Sequence, residues 1–324
     1  MLHVQPYQRK LRQAWDDLIR SSRNGVFLFQ RGFMEYHADR FEDSSLCIFE
    51  DNTLLAVFPG NRSGTDVISH GGLTFGGIIF DDRMKGSKMI EVMNGILRFL
   101  LERGIKRVLY KAIPYIFHTY PSQEDLFALT LLGAQLHRRE ISSAILLKSR
   151  LEYSKGKREG LRKAAKAGIV VRESRDYSTF HAILSQVLEE RHGVRPVHSV
   201  AEMELLGATF PNQIKLYGAF NAENMVAGAW IFINPKVIHT QYLASSAEGK
   251  QIGGIDSIID YLIRTAEDQF DYLSFGISSY DGGKKLNPGL LSQKEMLGGR
   301  CIVHDTYEIM TSAILPEGIL HVSA

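Results

Sequence analysis

The chain has 324 residues, of which 44% are hydrophobic, and a formal net charge of +2. This length accommodates one large domain or two ordinary ones, and the apolar content is that of a globular protein with a substantial core. The near balance of charge excludes a protein whose whole surface binds nucleic acid or membrane, so any basic site must be local. Cys47 and Cys301 lie far apart in apolar, strand-like runs, which predicts two reduced and buried thiols.

The opening segment lacks the uninterrupted apolar core of a signal peptide, and no later stretch approaches the ~20 apolar residues of a membrane span. We therefore expect a cytoplasmic protein. Histidine, cysteine and carboxylate residues nowhere show metal-ligand spacing, so no metal site is expected.

Helical and strand patterns alternate along residues 1–150 and predict an α+β first domain. The predicted elements are a helix over residues 8–21, a hairpin of strands 46–50 and 54–58, a helix over 87–102, a strand over 107–111, a helix over 123–132 and a strand over 137–147. The glycine at position 133 suits the end of the helix before it.

A run of Lys and Arg in residues 150–175 is the best candidate boundary, which divides the chain into domains 1–150 and 151–324. Beyond it, the pattern predicts two helices, an antiparallel meander of three strands, a third helix, a short helix and a last strand. These elements cover residues 177–192, 200–209, 214–220, 226–233, 237–243, 255–269, 291–296 and 302–310.

Residues 236–280 are predicted to form a strand, a glycine-containing loop, an amphipathic helix and a strand. The apolar stripe of the helix must pack on a sheet, and it consists of Ile255, Ile258, Ile259, Leu262, Ile263 and Ala266. The loop over residues 248–254 thus opens onto a helix N-terminus, where backbone N–H groups and the helix dipole favour phosphate. Lys250, Gly253 and Gly254 suit its close approach. An ordinary strand-to-helix connection is the alternative.

The first half contains a counterpart of this stretch. VISH at residues 67–70 stands where VIHT stands at 237–240, and each is followed by a glycine-containing loop, a helix and a short strand. The matching order and length predict a structural duplication, although a chance likeness between two α/β segments would produce the same order.

Two helices, a meander and a strand–loop–helix–strand unit follow in an order that resembles the GNAT superfamily of N-acyltransferases, and two such units resemble its Fem-type branch. KQIGG at residues 250–254 is similar to the superfamily's Arg/Gln-x-x-Gly-x-Gly/Ala loop, although Ile255 stands where glycine or alanine is expected. FG at 275–276, KEMLGG at 294–299 and the basic run at 157–166 are similar to Fem-type patterns. The long helical arm of the cell-wall enzymes is missing, as in Fem-like acyltransferases associated with surface polysaccharides.

The resemblance implies an α+β fold of two GNAT-like domains in tandem, with mixed, mostly antiparallel sheets flanked by helices. It implies an N-acyltransferase that moves an acyl group from acyl-CoA, such as acetyl-CoA, to an amino group of a sugar or a cell-envelope or surface-polysaccharide precursor. An aminoacyl-tRNA donor is the alternative within the fold. A module that has lost catalysis and binds only a nucleotide sugar or a partner protein is an alternative of another class, and a homo-oligomer is compatible with each.

For an acyl-CoA donor, the resemblance places the pyrophosphate at Lys250, Gln251, Gly253 and Gly254. The oxyanion donor is then a backbone N–H on the preceding strand, at Leu243 or Ala244. This assignment makes the second domain the donor-binding one.

His239 and Tyr242 on that strand are the predicted base and proton donor. Strand alternation is expected to place Gln241, a substrate-binding candidate, on the face of His239, and Tyr242 on the other face. Glu295 as a catalytic residue and Lys294 as a substrate-binding residue come with the family-like segment. The alternatives are a histidine bonded within the sheet, a tyrosine packed in the core and a solvated helix turn.

The acceptor side is predicted from the first half. His70, Gly76 and Gly77 occupy the counterpart position and are expected to line a pocket at the junction of the two halves. Lys111, Tyr115 and His118 follow the equivalent strand and are expected to contact a sugar or phosphate; glycine pairs that only form turns are the alternative. The basic run attracts a nucleotide sugar, coenzyme A or tRNA, or else forms a solvated helix face.

Overall fold

The computed structural model describes residues 1–315, without the side chains of residues 191 and 192. It contains two compact units. Unit 1 comprises Met1–Glu140 and the described residues from Val303 onward, and unit 2 comprises Ile141–Ile302. This division differs from the predicted boundary after residue 150, and it assigns the last strand to unit 1.

Unit 1 contains four α-helices within the described chain, namely α1 (Arg12–Ser21), α2 (Arg31–Met34), α3 (Gly86–Leu101) and α4 (Glu124–Leu131). Its strands up to the boundary are β1 (Leu2–Pro6), β2 (Glu42–Asp43), β3 (Leu46–Glu50), β4 (Thr53–Phe58), β5 (Asn61–Ser63), β6 (Asp66–Ile68), β7 (Ile79–Phe80) and β8 (Arg107–Lys111). A further strand, β9 (Gln135–Leu146), begins in unit 1 and continues into unit 2. The predicted hairpin, helices and strand 107–111 are confirmed, and β1 was not predicted.

Unit 2 contains the helices α5 (Lys155–Lys166), α6 (Tyr177–His192), α7 (Val200–Thr209), α8 (Ala247–Ile252), α9 (Gly254–Ala266) and α10 (Pro288–Met296). Its strands are β10 (Val170–Ser174), β11 (Ile214–Asn221), β12 (Asn224–Ile233), β13 (Val237–Ser245), β14 (Tyr272–Ser274), β15 (Ser279–Tyr280) and β16 (Lys285–Leu286). The last strand, β17 (Arg300–Met310), begins in unit 2 and continues into unit 1. The two helices and the meander are confirmed, and the helix predicted over residues 255–269 is α9, which ends at Ala266.

The strands of unit 1 form two groups. β1, β3, β4 and β7 are joined side by side in that order, and β17, β8, β6, β5 and β2 form a second row. The second row is antiparallel except for β6 and β8, which run parallel from Asp66↔Arg107 to Ile68↔Leu109. Helix α3 lies between β6 and β8 in sequence. Its apolar face is buried in the core of this unit, which removes that face from water. The buried residues of this face are Met89, Ile90, Val92, Met93, Ile96, Leu97 and Leu100.

Unit 2 is built on strands in the order β10-β11-β12-β13-β14-β9. Neighbouring strands are antiparallel except β13 and β14, which pair in parallel from Val237↔Tyr272 to His239↔Ser274. Helix α9 covers one face with the predicted apolar stripe, which meets Ala227, Ala229 and Ile231 of β12. On the other face, Phe180 of α6 packs against Gly228.

Both units therefore contain a parallel strand pair joined through a helix, β6–α3–β8 and β13–α9–β14. The predicted order of elements in the two halves is confirmed at these positions. None of the helices of residues 1–315 combines the length and apolarity needed to cross a bilayer.

Two predictions fail locally. The segment predicted as a loop over residues 248–254 is mostly the helix α8, because Ser246 caps it by accepting a hydrogen bond from the Gly249 N–H at 3.1 Å. Gly253 ends α8 and starts α9 with a φ of +79°. Cys47 is buried as predicted, but Cys301 is exposed.

Candidate functional site

Strands β13 and β14 separate part-way along β13. Their pairing ends at His239↔Ser274, whereas β13 continues to pair with β12 as far as Ser245. Among the described residues, the segment 240–245 therefore has a strand partner on one side only. The other side presents backbone polar groups for which the sheet supplies no partner. Leu243 and Ala244, the two candidates for the oxyanion donor, lie on this open segment.

A β-bulge at Gln241 changes which side chains share a face. Trp230 pairs with Tyr242 while its neighbour Ile231 pairs with Thr240, so Gln241 is the extra residue. The expected alternation is therefore wrong beyond this point. His239 and Tyr242 lie on the same face of β13, and Thr240 lies on the opposite face.

The hydroxyl of Tyr242 lies 2.9 Å from Nδ1 of His198. The Tyr242 ring stacks on Trp230 with centroids 5.8 Å apart, and His198 meets Trp230 edge-on at 5.0 Å. Burial raises the pKa of Tyr242 above its ordinary value, which keeps the hydroxyl protonated at neutral pH. Sequence reasoning missed His198, whose only local signal is its position directly before the capping residue Ser199 of α7.

His239 is nearly buried, and its Nδ1 lies 3.2 Å from Oγ of Ser274 across the parallel pair. Thr240 donates from Oγ1 to the Ser274 carbonyl at 3.3 Å. This arrangement is the hydrogen-bonded histidine within a sheet that the sequence offered as the alternative. A role for His239 as base stays a prediction.

Lys294 of α10 lies where the chain leaves β14. Its Nζ donates to the Gly276 carbonyl, to the Ile277 carbonyl at 3.3 Å and to Ser278 Oγ at 2.7 Å. The side chain is 6% exposed, and burial lowers the pKa of Lys294 to about 8. No described atom lies within 4 Å of the position that a Cβ on Gly276 would take. Glu295, predicted alongside Lys294, is exposed on the surface of α10.

Helix α5 covers the first turn of α9, where the sequence predicted a phosphate site. A Cβ on Gly253 would lie within 3.0 Å of the Gly160 carbonyl, closer than real Cβ contacts. Lys157 Nζ lies 2.6 Å from Asp256 Oδ1, and the Tyr153 hydroxyl donates to Asp260 Oδ1 at 3.1 Å. From Tyr153, which lies just before α5, through Lys157 to Gly160, the contacted residues of α9 run backwards in sequence. The two helices are therefore antiparallel.

The predicted pyrophosphate residues are thereby divided between two environments. Gly253 and Gly254 are buried, Gly253 beneath α5 and Gly254 against Ala227 of β12. Lys250 and Gln251, in the last turn of α8, are exposed. A phosphate group at the start of α9 requires displacement of α5, so this role stays a prediction.

In unit 1 the predicted glycine pocket is filled by the chain itself. Gly76 approaches the Ser69 carbonyl so closely that a Cβ has no room, and its N–H donates to the Lys111 carbonyl at 2.8 Å. Gly77, with a φ of +107°, lies against the Tyr110 ring. The two glycines allow the segment to pack on β8, and they leave no space beside themselves.

His70 and Lys111 belong to this packed segment. Lys111 Nζ donates to the His70 carbonyl at 3.2 Å and to the Leu73 carbonyl, and burial lowers the pKa of Lys111 to about 8. His70 adopts a φ of +60°, which is costly for a non-glycine residue, and burial lowers its pKa to about 3. Its ring lies 5.4 Å from each of the rings of His37 and Phe41. Sequence reasoning missed His37.

Tyr115 and His118 are not equivalent. Tyr115 is exposed, whereas His118 is nearly buried and its burial lowers the pKa to about 4. The next residues, Thr119 and Tyr120, line a cleft of about 520 Å³ in unit 1 together with Ser21, Ser22, Arg23 and Asp82. Among residues 1–315 no cluster of three or more His, Cys, Asp or Glu residues is arranged to hold a metal ion.

The fold of this chain is similar to that of several solved structures. No protein-family model and no curated protein sequence matches it. The crystal structure of FemX superposes with a TM-score of 0.67 at 12% identity, over 96% of this chain and 98% of FemX. L-PGS from Bacillus licheniformis superposes with a TM-score of 0.57 at 13% identity, over 85% of this chain and 90% of that one. The tandem GNAT protein from the clavulanic acid biosynthesis pathway, solved without AcCoA, has a TM-score of 0.51 at 8% identity, over 96% and 99% of the two chains.

The chain has a Fem-like, tandem-GNAT fold. The prediction of two GNAT-like domains is confirmed at the level of fold. The two GNAT-like units differ in what lies beside their parallel strands. In unit 1, residues 69–78 pack back onto β8, whereas in unit 2 the segment 240–245 of β13 keeps an edge without a strand partner in the described chain.

Proposed function

We propose that the protein is a transferase that moves an acyl group from an activated ester to an amino group, with a sugar or cell-envelope precursor as acceptor. The observation that carries the proposal is the open segment of β13, which presents backbone groups beside Tyr242 and next to the end of β14 where Lys294 lies. The Fem-like fold supports the same reaction class.

The open segment provides the groups that acyl transfer needs. Attack on the acyl carbon places negative charge on its oxygen, and backbone N–H groups aimed at that oxygen stabilise the charge. Successive N–H groups of a strand point to opposite edges, so we assign this task to the amide, of Leu243 or Ala244, whose N–H points away from β12. The ammonium group of Lys294, held by three acceptors at the end of β14, adds positive charge to this side of the sheet.

The position of α5 favours an aminoacyl-tRNA donor over acyl-CoA. A pyrophosphate binds best at a helix N-terminus whose N–H groups are bare. Here the first turn of α9 lies beneath Gly160 and carries Asp256, which is already paired with Lys157. An aminoacyl ester of tRNA needs no pyrophosphate grip, so this obstruction does not affect it.

The outer surface of α5 suits RNA. Its exposed basic residues are Lys155, Arg158, Arg162, Lys163 and Lys166. Glu152 and Glu159 accompany Arg158 and Arg162, but both ion pairs are exposed and therefore weak. Phosphates of a tRNA acceptor arm can neutralise this surface with release of counterions.

A retention assay with charged tRNA tests the donor. Changing Lys155, Lys163 and Lys166 to Gln is expected to weaken retention at least about tenfold and to lower the slope of log affinity against log salt by about two to three. A matched control changes three exposed lysines elsewhere, Lys10, Lys106 and Lys284, to Gln. Equal retention by both triple variants would remove the tRNA donor from the proposal.

An acyl-CoA donor is the second candidate, since the fold is shared with the tandem GNAT protein of the clavulanic acid pathway, whose structure without AcCoA is the one that superposes. Acetyl-CoA at a hundredfold excess over its Kd should then stabilise the protein by about 2.7 kcal/mol, which a thermal melt detects. Thiol release with a hexosamine acceptor would establish this donor. If neither donor yields an acylated amine, the protein is not this transferase.

A further inference from the structure

We propose that Tyr242 and His198 form a proton relay in unit 2, in which Tyr242 contacts the reacting groups and His198 is the positioning residue that exchanges a proton with it. The inference rests on the proposed acyl transfer and adds the route of its protons. Its starting point is the hydroxyl–imidazole distance of 2.9 Å on the face of β13 that the Gln241 bulge creates.

Both partners are held firmly in place. Tyr242 lies flat on Trp230 at an interplanar angle of 12°, and His198 stands edge-on against the same indole at 72°. The His198 carbonyl accepts from His181 Nε2 at 3.1 Å, which ties the connection between α6 and α7 to α6. The next residue, Ser199, forms a capping box with Glu202 at the start of α7. A group fixed in this way holds its hydrogen bond to Tyr242 through a reaction cycle.

The aromatic cluster also contains an unsatisfied donor. The indole Nε1 of Trp230 is fully buried and has no hydrogen-bond partner among the described residues. Such a group destabilises the folded protein, because it has lost its hydrogen bond to water without gaining another. A buried group of this kind in a native fold calls for an explanation, and a catalytic role of the site around it is one. The orphan supports a functional reading of the Tyr242 cluster.

The surroundings of the pair keep the Tyr242 hydroxyl protonated near neutral pH. Burial raises the pKa of Tyr242, Glu202 of α7 adds to this effect, and the backbone at Val197 and His198 and the Gln241 side chain oppose it. The hydroxyl therefore retains its proton, and in the tautomer that the relay requires it donates to Nδ1 of His198. Another titratable neighbour is His181 of α6, which donates to the backbone carbonyl of His198. The ring nitrogens of His198 are therefore left for Tyr242 and for further contacts.

The relay balances over one turnover. A neutral amine attacks the acyl carbon and forms the C–N bond, while its proton passes to the Tyr242 oxygen and the Tyr242 proton passes to His198 Nδ1. Collapse of the tetrahedral adduct breaks the bond from the acyl carbon to the donor oxygen. The proton then returns from His198 through Tyr242 to that oxygen, so that the products are an amide and a hydroxyl and the pair is restored.

Two variants test the relay through activity. Tyr242→Phe keeps the ring stack but has no hydroxyl, and His198→Asn keeps a hydrogen-bonding group near Nδ1 that cannot take up a proton. Each should lower transfer about a hundredfold or more at neutral pH, and His198→Asn should flatten the acidic limb of the pH–rate profile. Tyr217→Phe, on the opposite face of the sheet, should change neither. A profile of unchanged shape in His198→Asn would overturn the relay.

A nitrogen NMR titration of the histidines tests the pair without any donor. Nδ1 of His198 should show the chemical shift of a hydrogen-bond acceptor, and Tyr242→Phe should displace the midpoint of the His198 titration because the two groups exchange a proton. Identical His198 curves in the two proteins would refute the relay even if transfer occurs. A displaced midpoint in a protein that transfers no acyl group would support the pair and refute only the proposed function.

Discussion

Lys157 and Asp256 join α5 to the first turn of α9 through an ion pair of 2.6 Å whose side chains are only 19% and 13% exposed. A partly buried pair of this kind contributes more than a surface pair, because water screens it less. In a double-mutant cycle with Lys157→Met and Asp256→Asn, we expect a coupling energy of about 1–2 kcal/mol from urea unfolding.

The control for this cycle is the pair Arg162–Glu159 on the same helix, whose side chains are 76% and 54% exposed. Its coupling should be about 0.5 kcal/mol or less. Equal coupling energies for the two pairs would show that α5 is not fastened to α9 through Lys157.

Two glycines with similar backbone angles separate conformational strain from packing. Gly168 has a φ of +70° and open space beside it, whereas Gly253 has a φ of +79° and faces the Gly160 carbonyl. Gly168→Ala should cost about 1 kcal/mol of unfolding free energy, from the left-handed conformation alone. Gly253→Ala should lower the free energy of unfolding by about 1–3 kcal/mol more than Gly168→Ala does, because α5 must move away. Similar losses in both variants would mean that α5 yields at little cost.

Burial of Lys294 predicts a pH dependence of stability. Its pKa is about 8 in the folded chain, against about 10.4 in an unfolded one. Between these values the unfolded chain binds the proton and the folded chain does not, so folding stability rises with pH in this window. Relative to Lys294→Met, the wild type should gain about 1–3 kcal/mol between pH 8 and pH 10.4. The same substitution at the exposed Lys284 should leave the pH dependence unchanged, and parallel curves for Lys294→Met and the wild type would contradict the shift.

Tyr110 holds the core of unit 1 through its hydroxyl, which donates to Asp125 Oδ2 at 2.6 Å and accepts from the Ile78 N–H at 2.9 Å. Burial raises the pKa of Asp125 to about 6. Tyr110→Phe leaves both partners buried without this hydroxyl, so we expect a loss of about 2–4 kcal/mol in chemical unfolding. Tyr307→Phe, which removes a longer contact of 3.4 Å to Asp305, should cost about 0.5 kcal/mol or less. A loss at Tyr110 no larger than the loss at Tyr307 would contradict this role.

Periodicity alone predicted the framework of the fold. The apolar stripe of residues 255–266 and the three strands of the meander follow from local spacing. A helix or strand with one buried face has apolar residues at the period of that element. The order of these elements then indicated the tandem GNAT arrangement, which the structural comparison with FemX confirms.

Features that depend on two distant segments were not predictable in this way. The bulge at Gln241 is decided by how β12 and β13 register, and it reverses the face of every residue beyond it. In the sequence, Gly160 and Gly253 are ordinary helix-breaking residues. The structure shows that they allow α5 and α9 to approach closely, because a Cβ on Gly253 would clash with the Gly160 carbonyl. His198 carries no motif, because its partner Tyr242 lies on a strand far along the chain.

The pairing of β17 with β8 has a consequence for synthesis of the chain. Residues 306–310 add the last described strand of unit 1 by pairing from Thr306↔Lys111 to Met310↔Arg107, yet all of unit 2 precedes them in sequence. A ribosome therefore releases every strand of unit 2 before unit 1 receives its last one. Until then the edge of β8 is an open template for wrong strand partners. Chaperones that bind nascent chains would bind at this edge. A premature stop after residue 302 would remove the strand that pairs with β8 and so destabilise unit 1, the first unit translated, but not unit 2.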